Sequence, residues 1–153
     1  MPLHHLIYES QATQPFTEAE LAALLQQARA HNDANGLSGI LLYAQDGRFV
    51  QVLEGEVDNV HELYFMHISR DKRHHNLTLL ADGRLGQRRF ANWCMGYRLA
   101  TPEGLAELIG HVSTADATFL LPMLPSLSTP LLDKLLDYVQ YTAVDPVLEE
   151  VRY

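Results

Sequence analysis

Between Leu37 and Leu53 the sequence reads as an apolar run, a tight turn and a second apolar run, and this hairpin constrains the fold more than any other segment. Leu37 to Tyr43 is almost continuously apolar, as expected of a central strand covered on both faces. Asp46-Gly47 is the strongest short hairpin signal in the chain. The returning strand, Arg48-Phe49-Val50-Gln51-Val52-Leu53-Glu54-Gly55, carries an uncharged amide at its middle. Side chains alternate along a strand, so Phe49, Gln51 and Leu53 share a face. A buried amide without a partner there costs about 1–3 kcal/mol. Gln51 therefore requires something to bond.

The other elements follow from local signals. Residues 4–10 read as a strand with Leu6, Tyr8 and Ser10 on one face. Thr17-Glu18-Ala19-Glu20 is a capping box, and Leu21, Leu24, Leu25 and Ala28 follow at helical spacing, which predicts a helix over 18–31. Turn formers from His31 to Asn35 end it, with Gly36 at positive φ. Asp58 is expected to cap a second helix reaching Ser69, with Val60, Leu63, Tyr64, His67 and Ile68 inward, and residues 71–75 leave it as a loop. Leu77 to Leu85 reads as a fourth strand and Cys94 to Leu99 as a fifth. The order βαββαββ predicts an α+β, ferredoxin-like sandwich, a mixed five-stranded sheet with two helices on one face. Helices starting at Thr101-Pro102-Glu103 and Ser128-Thr129-Pro130, the latter with a Leu131–Val139 stripe, are expected to cover the other face. Pro122, Pro125 and Pro130 predict an irregular connection between them.

Composition narrows the function. The chain has 153 residues and a net charge of −8, with scattered basic residues, which argues against a nucleic-acid partner. Cys94 is the only cysteine, so no internal disulfide is possible. No apolar run reaches the length of about 18 residues needed to span a membrane, and the reading is a soluble cytoplasmic protein. The pairs His4-His5 and His74-His75 have no spaced cysteine or carboxylate beside them, so no metal is expected. Arg88-Arg89 reads as a solvated turn.

The predicted sheet puts Tyr8 and Gln51 on the side facing the two helices, with Asn32 at the end of the first. Three neutral hydrogen-bonding groups then face one apolar gap. A carboxylate pair or a triad would signal proton or acyl chemistry. Neutral groups instead suit a flat, neutral, hydrogen-bonding heteroaromatic ligand held between helices.

Five segments carry a family resemblance. Leu6-Ile7-Tyr8-Glu9-Ser10, His31-Asn32 with Asn35-Gly36-Leu37-Ser38-Gly39, Phe49-Val50-Gln51-Val52-Leu53-Glu54-Gly55, Asp71-Lys72-Arg73-His74 and Arg89-Phe90-Ala91-Asn92-Trp93-Cys94-Met95 resemble the BLUF family of flavin-using blue-light sensors, in order and at near-constant spacing over residues 3–99. The remainder resembles, less specifically, the helical extension of the short single-domain members. The resemblance thus implies a photosensor domain over 1–100 and an extension over 101–153 packed on the sheet. It implies a flavin, normally FAD, for which FMN or riboflavin can substitute. Tyr8, Leu24, Ala28, His31, Asn32, Gln51, His67, Ile68, Asp71 and Arg73 would bind it. Within that set Asn32 would bond the ring's carbonyl and imide edge, Leu24 and Ile68 would sandwich the ring, and His31 and Arg73 would lie toward the ribityl and phosphate. Tyr8 and Gln51, with Ser10, Trp93 and Met95, would form the photoactive switch; Trp93 and Met95 are expected to point the same way from the fifth strand.

In the family pattern the second helix is one residue shorter than Tyr64-Phe65-Met66-His67-Ile68-Ser69-Arg70-Asp71. One inserted residue turns the subsequent helical face by about 100°. The extra residue is expected to be absorbed at 65–66 as a bulge, which leaves Ile68 on the ring. The resulting expectation is a non-enzymatic photoreceptor that signals to a downstream protein, as a homo-oligomer and without nucleic acid or membrane. The rivals are a flavin oxidoreductase and an interaction module without light sensing.

Overall fold

The computed structural model describes residues 3–115, 129–142 and 148. Its elements are β1 (Leu3–Ala12), α1 (Glu18–Asn35), β2 (Ser38–Ala44), β3 (Arg48–Glu56), α2 (Val57–Glu62), β4 (His74–Leu85), β5 (Gly96–Ala100), α3 (Pro102–Ala115) and α4 (Thr129–Tyr141). The strands form one sheet in the order β4-β1-β3-β2-β5. All neighbours are antiparallel except β2 and β5. This is the mixed five-stranded α+β sandwich expected of the order βαββαββ.

The hairpin forms as its turn residues dictate. Gly47 has φ 91°, where a side chain would be strained, and its N–H donates to the Ala44 carbonyl at 2.9 Å. Both strands are buried on both faces. On one face Ile7, Ile40, Leu42, Val50 and Val52 pack against Leu105, Leu132, Leu135 and Val139, so the C-terminal helices cover that side of the sheet. On the other, Leu6, Tyr8, Leu41, Phe49 and Leu53 pack against Leu21, Leu25, Val60 and Tyr64.

Local capping signals are realised at three helix ends. The Thr17 hydroxyl accepts from Glu20 N–H while the Glu20 carboxylate accepts from Thr17 N–H, and Gly36 takes the left-handed conformation at φ 67°. At α3 the Thr101 hydroxyl accepts from Gly104 N–H at 3.0 Å.

The structure corrects several boundaries. α1 continues to Asn35, past the predicted end at 31, because its polar last turn has partners elsewhere: Asn32 donates to the Cys94 carbonyl and Asn59 to the Asn35 carbonyl. Asp58 does not cap α2; Glu56 holds the N-cap position, and Asp58 lies in the first turn, where its charge favours the helix dipole. His74 and His75 belong to β4 rather than to a loop, paired with Ala12 and Gln11. Arg88 is no solvated turn: its guanidinium donates to the Ser38 hydroxyl and to the Glu54 and Gly36 carbonyls. The connection expected around Pro122 and Pro125 lies outside the described residues.

The segment after α2 is a π-helical turn, Leu63–His67, succeeded by a 3-10 turn, Ile68–Arg70. A π turn holds one residue more than an α turn of the same rise, so it takes up the insertion expected at 65–66 without rotating Ile68 off the cavity wall. Phe65 and Met66 are pushed outward, 46% and 48% exposed, while Tyr64 stays buried. His67, expected on the inner side, is exposed, and Ile68 is half-buried.

Candidate functional site

A cavity of about 200 Å³ opens between α1 and the π turn, with the sheet as its floor. Tyr8, Leu41, Phe49 and Gln51 make the floor, Leu24, Leu25, Ala28 and Asn32 one wall, and Leu63 and Ile68 the other. His31, His67, Asp71 and Arg73 also belong to the lining. Every residue expected to hold a flavin thus lines one cavity.

The floor is built by strand register. Tyr8 on β1 stands directly opposite Gln51 on β3, and Leu41 on β2 stands on its other side. Facing positions on adjacent strands bring side chains within bonding distance, and the Tyr8 hydroxyl donates to Gln51 Oε1. Gln51 Nε2 donates in turn to Met95 Sδ at 3.4 Å. Tyr8 and Met95 are buried, and Gln51 is 7% exposed. Burial pushes the Tyr8 phenol well above its ordinary pKa, and Tyr64 and Asp71 add to the shift. It therefore remains a proton donor to Gln51 at pH values where an exposed tyrosine begins to ionise.

Asn32 faces this pair from the last turn of α1. Its backbone carbonyl accepts the Gly36 and Leu37 N–H groups, which fixes the residue at the helix end. Its Nδ2 donates to the Cys94 carbonyl at 2.5 Å, but its Oδ1, fully buried, has no partner among the described residues. A buried acceptor left unpaired is unfavourable. A flat ring between Leu24 and Ile68, with an N–H on its polar edge toward Asn32, would supply the donor that Oδ1 lacks, and the residues present fit the flavin that the resemblance implies. We expect Asn32→Ala to weaken flavin binding about 10- to 100-fold, or about 1.4–2.8 kcal/mol, as read by quenching of flavin fluorescence, with unchanged circular dichroism.

The rim is organised differently. Arg73 grips Asp71 through Nε at 3.0 Å, with Nη2 on Oδ2 at 2.5 Å. Arg73 holds the Asp71 carboxyl below its ordinary pKa. The guanidinium is thus already paired at the rim. His31 and His67 approach from opposite walls, ring centroids 6.0 Å apart.

Two expected switch residues stand elsewhere. Trp93 and Met95 do not point the same way: β5 begins only at Gly96, so strand alternation does not govern them. Met95 lies under Gln51 on the helix side, whereas Trp93 packs against the opposite core beside Phe90 and under the Arg98 guanidinium. Ser10 is outside the cavity lining, with its hydroxyl 2.8 Å from His74 Nδ1. His74 was missed by sequence reasoning. Its other ring nitrogen donates to the Ile68 carbonyl at 2.8 Å, so it ties β1 to the wall residue Ile68. Phe16, Leu25, Gln27, Leu41 and Leu63 were also missed as lining. The helical spacing of Leu25 and the inward position expected of Leu63 carried a hint.

The BLUF family, described as sensors of blue-light using FAD, matches residues 3–96. The chain is similar to the photoactivated adenylate cyclase subunit beta of Euglena gracilis, 37% identical over 102 residues, covering 66% of this chain and 11% of that one. The chain thus spans about a tenth of the length of the curated relatives it matches. Among solved structures it resembles BlsA in its photo-activated state, at 30% identity and TM-score 0.67, over 94% of this chain and 98% of that one. It also resembles Klebsiella pneumoniae BlrP1 with FMN and cyclic diGMP, at 34% identity and TM-score 0.55, over 65% of this chain and 26% of that one.

Proposed function

The chain belongs to the BLUF family of blue-light sensors using FAD, and from that premise we propose that its sensing element is a hydrogen-bond switch made of Tyr8 and Gln51. The observation that carries this reading is the chain of donors on the cavity floor, Tyr8 hydroxyl to Gln51 Oε1 and Gln51 Nε2 to Met95 Sδ. A bound flavin supplies absorption of blue light and, once excited, a site that accepts an electron and a proton.

Tyr8 is the donor on this reading, since its buried phenol keeps its proton in the dark. Gln51 is the part that persists in a changed state. A thioether is a weak acceptor, so the amide's present N–H bond is easily exchanged. Turning the amide over trades bonds each worth about 0.5–1.5 kcal/mol, which leaves two arrangements close in energy. A charged side chain at the same place would have no such pair of states. Met95 leads directly into β5, so a change at Gln51 has a path to the sheet edge and to the C-terminal helices packed behind it.

Residues 1–100 are, on this reading, the sensor, and 101–153 the extension that passes its state to a separate signalling protein. The chain is a non-enzymatic, cytoplasmic photoreceptor. FMN or riboflavin can serve in place of FAD, since the cavity recognises the ring and the one rim guanidinium is already paired. No helix among the described residues is long and apolar enough to cross a membrane.

The test is a reversible cycle. In blue light, without an added electron donor, the visible flavin band should move slightly to the red, revert in the dark, and leave the oxidised flavin undiminished. Bleaching, or sustained NADH oxidation in the dark, would favour an oxidoreductase. An unresponsive band on a bound flavin would favour an interaction module without light sensing.

A further inference from the structure

Away from the flavin cavity, three side chains from three elements meet at one point. His4 on β1, His61 on α2 and Asp82 on β4 place His4 Nε2, His61 Nε2 and Asp82 Oδ1 within 4.8 Å of one another. Asp82 Oδ1 contacts both imidazoles, His61 at 2.8 Å, and the two rings stand edge to face at 4.9 Å between centroids and 82°. None of the three lines the flavin cavity.

We propose that His4, His61 and Asp82 form a binding site for a divalent transition cation of the zinc class. Imidazole nitrogen and carboxylate oxygen are the ligand types that such ions take, and three protein ligands leave a fourth position for water. Tetrahedral geometry at zinc–ligand distances of about 2.0–2.1 Å sets the ligand atoms roughly 3.3 Å apart. From the observed His61 to Asp82 separation of 2.8 Å, that geometry needs only side-chain adjustment. The side chains are 14%, 37% and 28% exposed, so the site has an entry path and room for water. Two ligands stand on paired strands and the third on the helix above them, which sets their positions before the ion arrives. The carboxylate partner that the sequence did not show beside His4-His5 is thus supplied from β4, 78 residues away. A cation held there pins α2 to β1 and β4, and α2 leads directly into the π turn that walls the cavity.

The test uses the flavin-loaded chain, stripped with a chelator and titrated calorimetrically with zinc chloride. The expected result is one equivalent bound and a melting temperature raised by several degrees. His61→Ala and Asp82→Asn should each weaken that binding at least tenfold, while His75→Ala leaves it unchanged. His61 lies at the surface, so its replacement should spare the fold, which flavin retention checks; His61→Gln serves as a second variant that preserves bulk. Absence of zinc binding, or binding unaffected by His61→Ala and Asp82→Asn, would overturn the proposal.

Discussion

Tyr8→Phe should keep its flavin and lose its photocycle. The substitution preserves the ring that packs 5.3 Å from Tyr64 and 6.3 Å from His74, centroid to centroid, and deletes only the hydroxyl that reaches Gln51. Asn32, Leu24 and Ile68, the cavity residues expected to hold the flavin, are untouched, so affinity should change little. The lost bond is worth about 1 kcal/mol of stability, a minor shift in melting temperature. The photochemical effect is of another order, because the phenol is the donor in the proposed switch and no other phenol hydrogen-bonds the Gln51 side chain among the described residues. The light-minus-dark visible spectrum should be flat within noise on a sample that is still yellow. A red shift retained in this variant would remove Tyr8 from the mechanism.

Gly39→Ala should cost the protein its fold. Gly39 on β2 lies opposite Leu53 on β3, and a Cβ there would stand 1.9 Å from the Val52 carbonyl oxygen and 2.9 Å from its carbon. Those atoms are backbone of a central strand, flanked by β1 and β2 and buried on both faces, so they cannot yield as a side-chain tip would. The displaced strand is the one carrying Gln51, and the Gly39 N–H also bonds the Trp93 carbonyl that begins the turn into Met95. A destabilisation above about 3 kcal/mol is expected, a large part of the 5–15 kcal/mol typical of a domain. Expression should give little soluble, flavin-loaded protein. Gly86→Ala is the control: a Cβ there meets nothing within 4 Å, and its melting temperature should match the unsubstituted chain. Normal melting and flavin retention in Gly39→Ala would show that the strand separation is not as described.

What could be read in the sequence was what local chemistry decides. Asp46-Gly47, the Thr17–Glu20 box and Gly36 each specify a turn or a cap from their own few residues, and each is realised. Gln51 announced itself because an amide in an apolar strand face must have partners, and the Tyr8 position came from strand alternation. The rest depended on distant atoms. α1 outruns its turn-forming residues because Asn32 and Asn35 find bonds on other elements. The alternation applied to Trp93 and Met95 fails because the chain bends before Gly96, a boundary that no residue in that stretch signals. His74 earned no role in a reading by motif, since its bonds run to Ser10 and to the Ile68 carbonyl. The Asp82 ligand is invisible for the same reason: it faces His4 only through the pairing of β1 with β4.

In the proposed switch the persistent light signal resides in the Gln51 amide. Gln27 and Gln51 are the glutamines that line the cavity, so a Gln27→Ala background leaves Gln51 as the labelled amide facing the ring. The direct measurement is the infrared light-minus-dark difference spectrum of that variant, with and without carbon-13 and nitrogen-15 in the glutamine side chains. The expected result is an amide carbonyl band that shifts between dark and light, moves with the label, reverts with the visible band and disappears in Tyr8→Phe. A normal visible red shift with no label-sensitive band in the difference spectrum would contradict it.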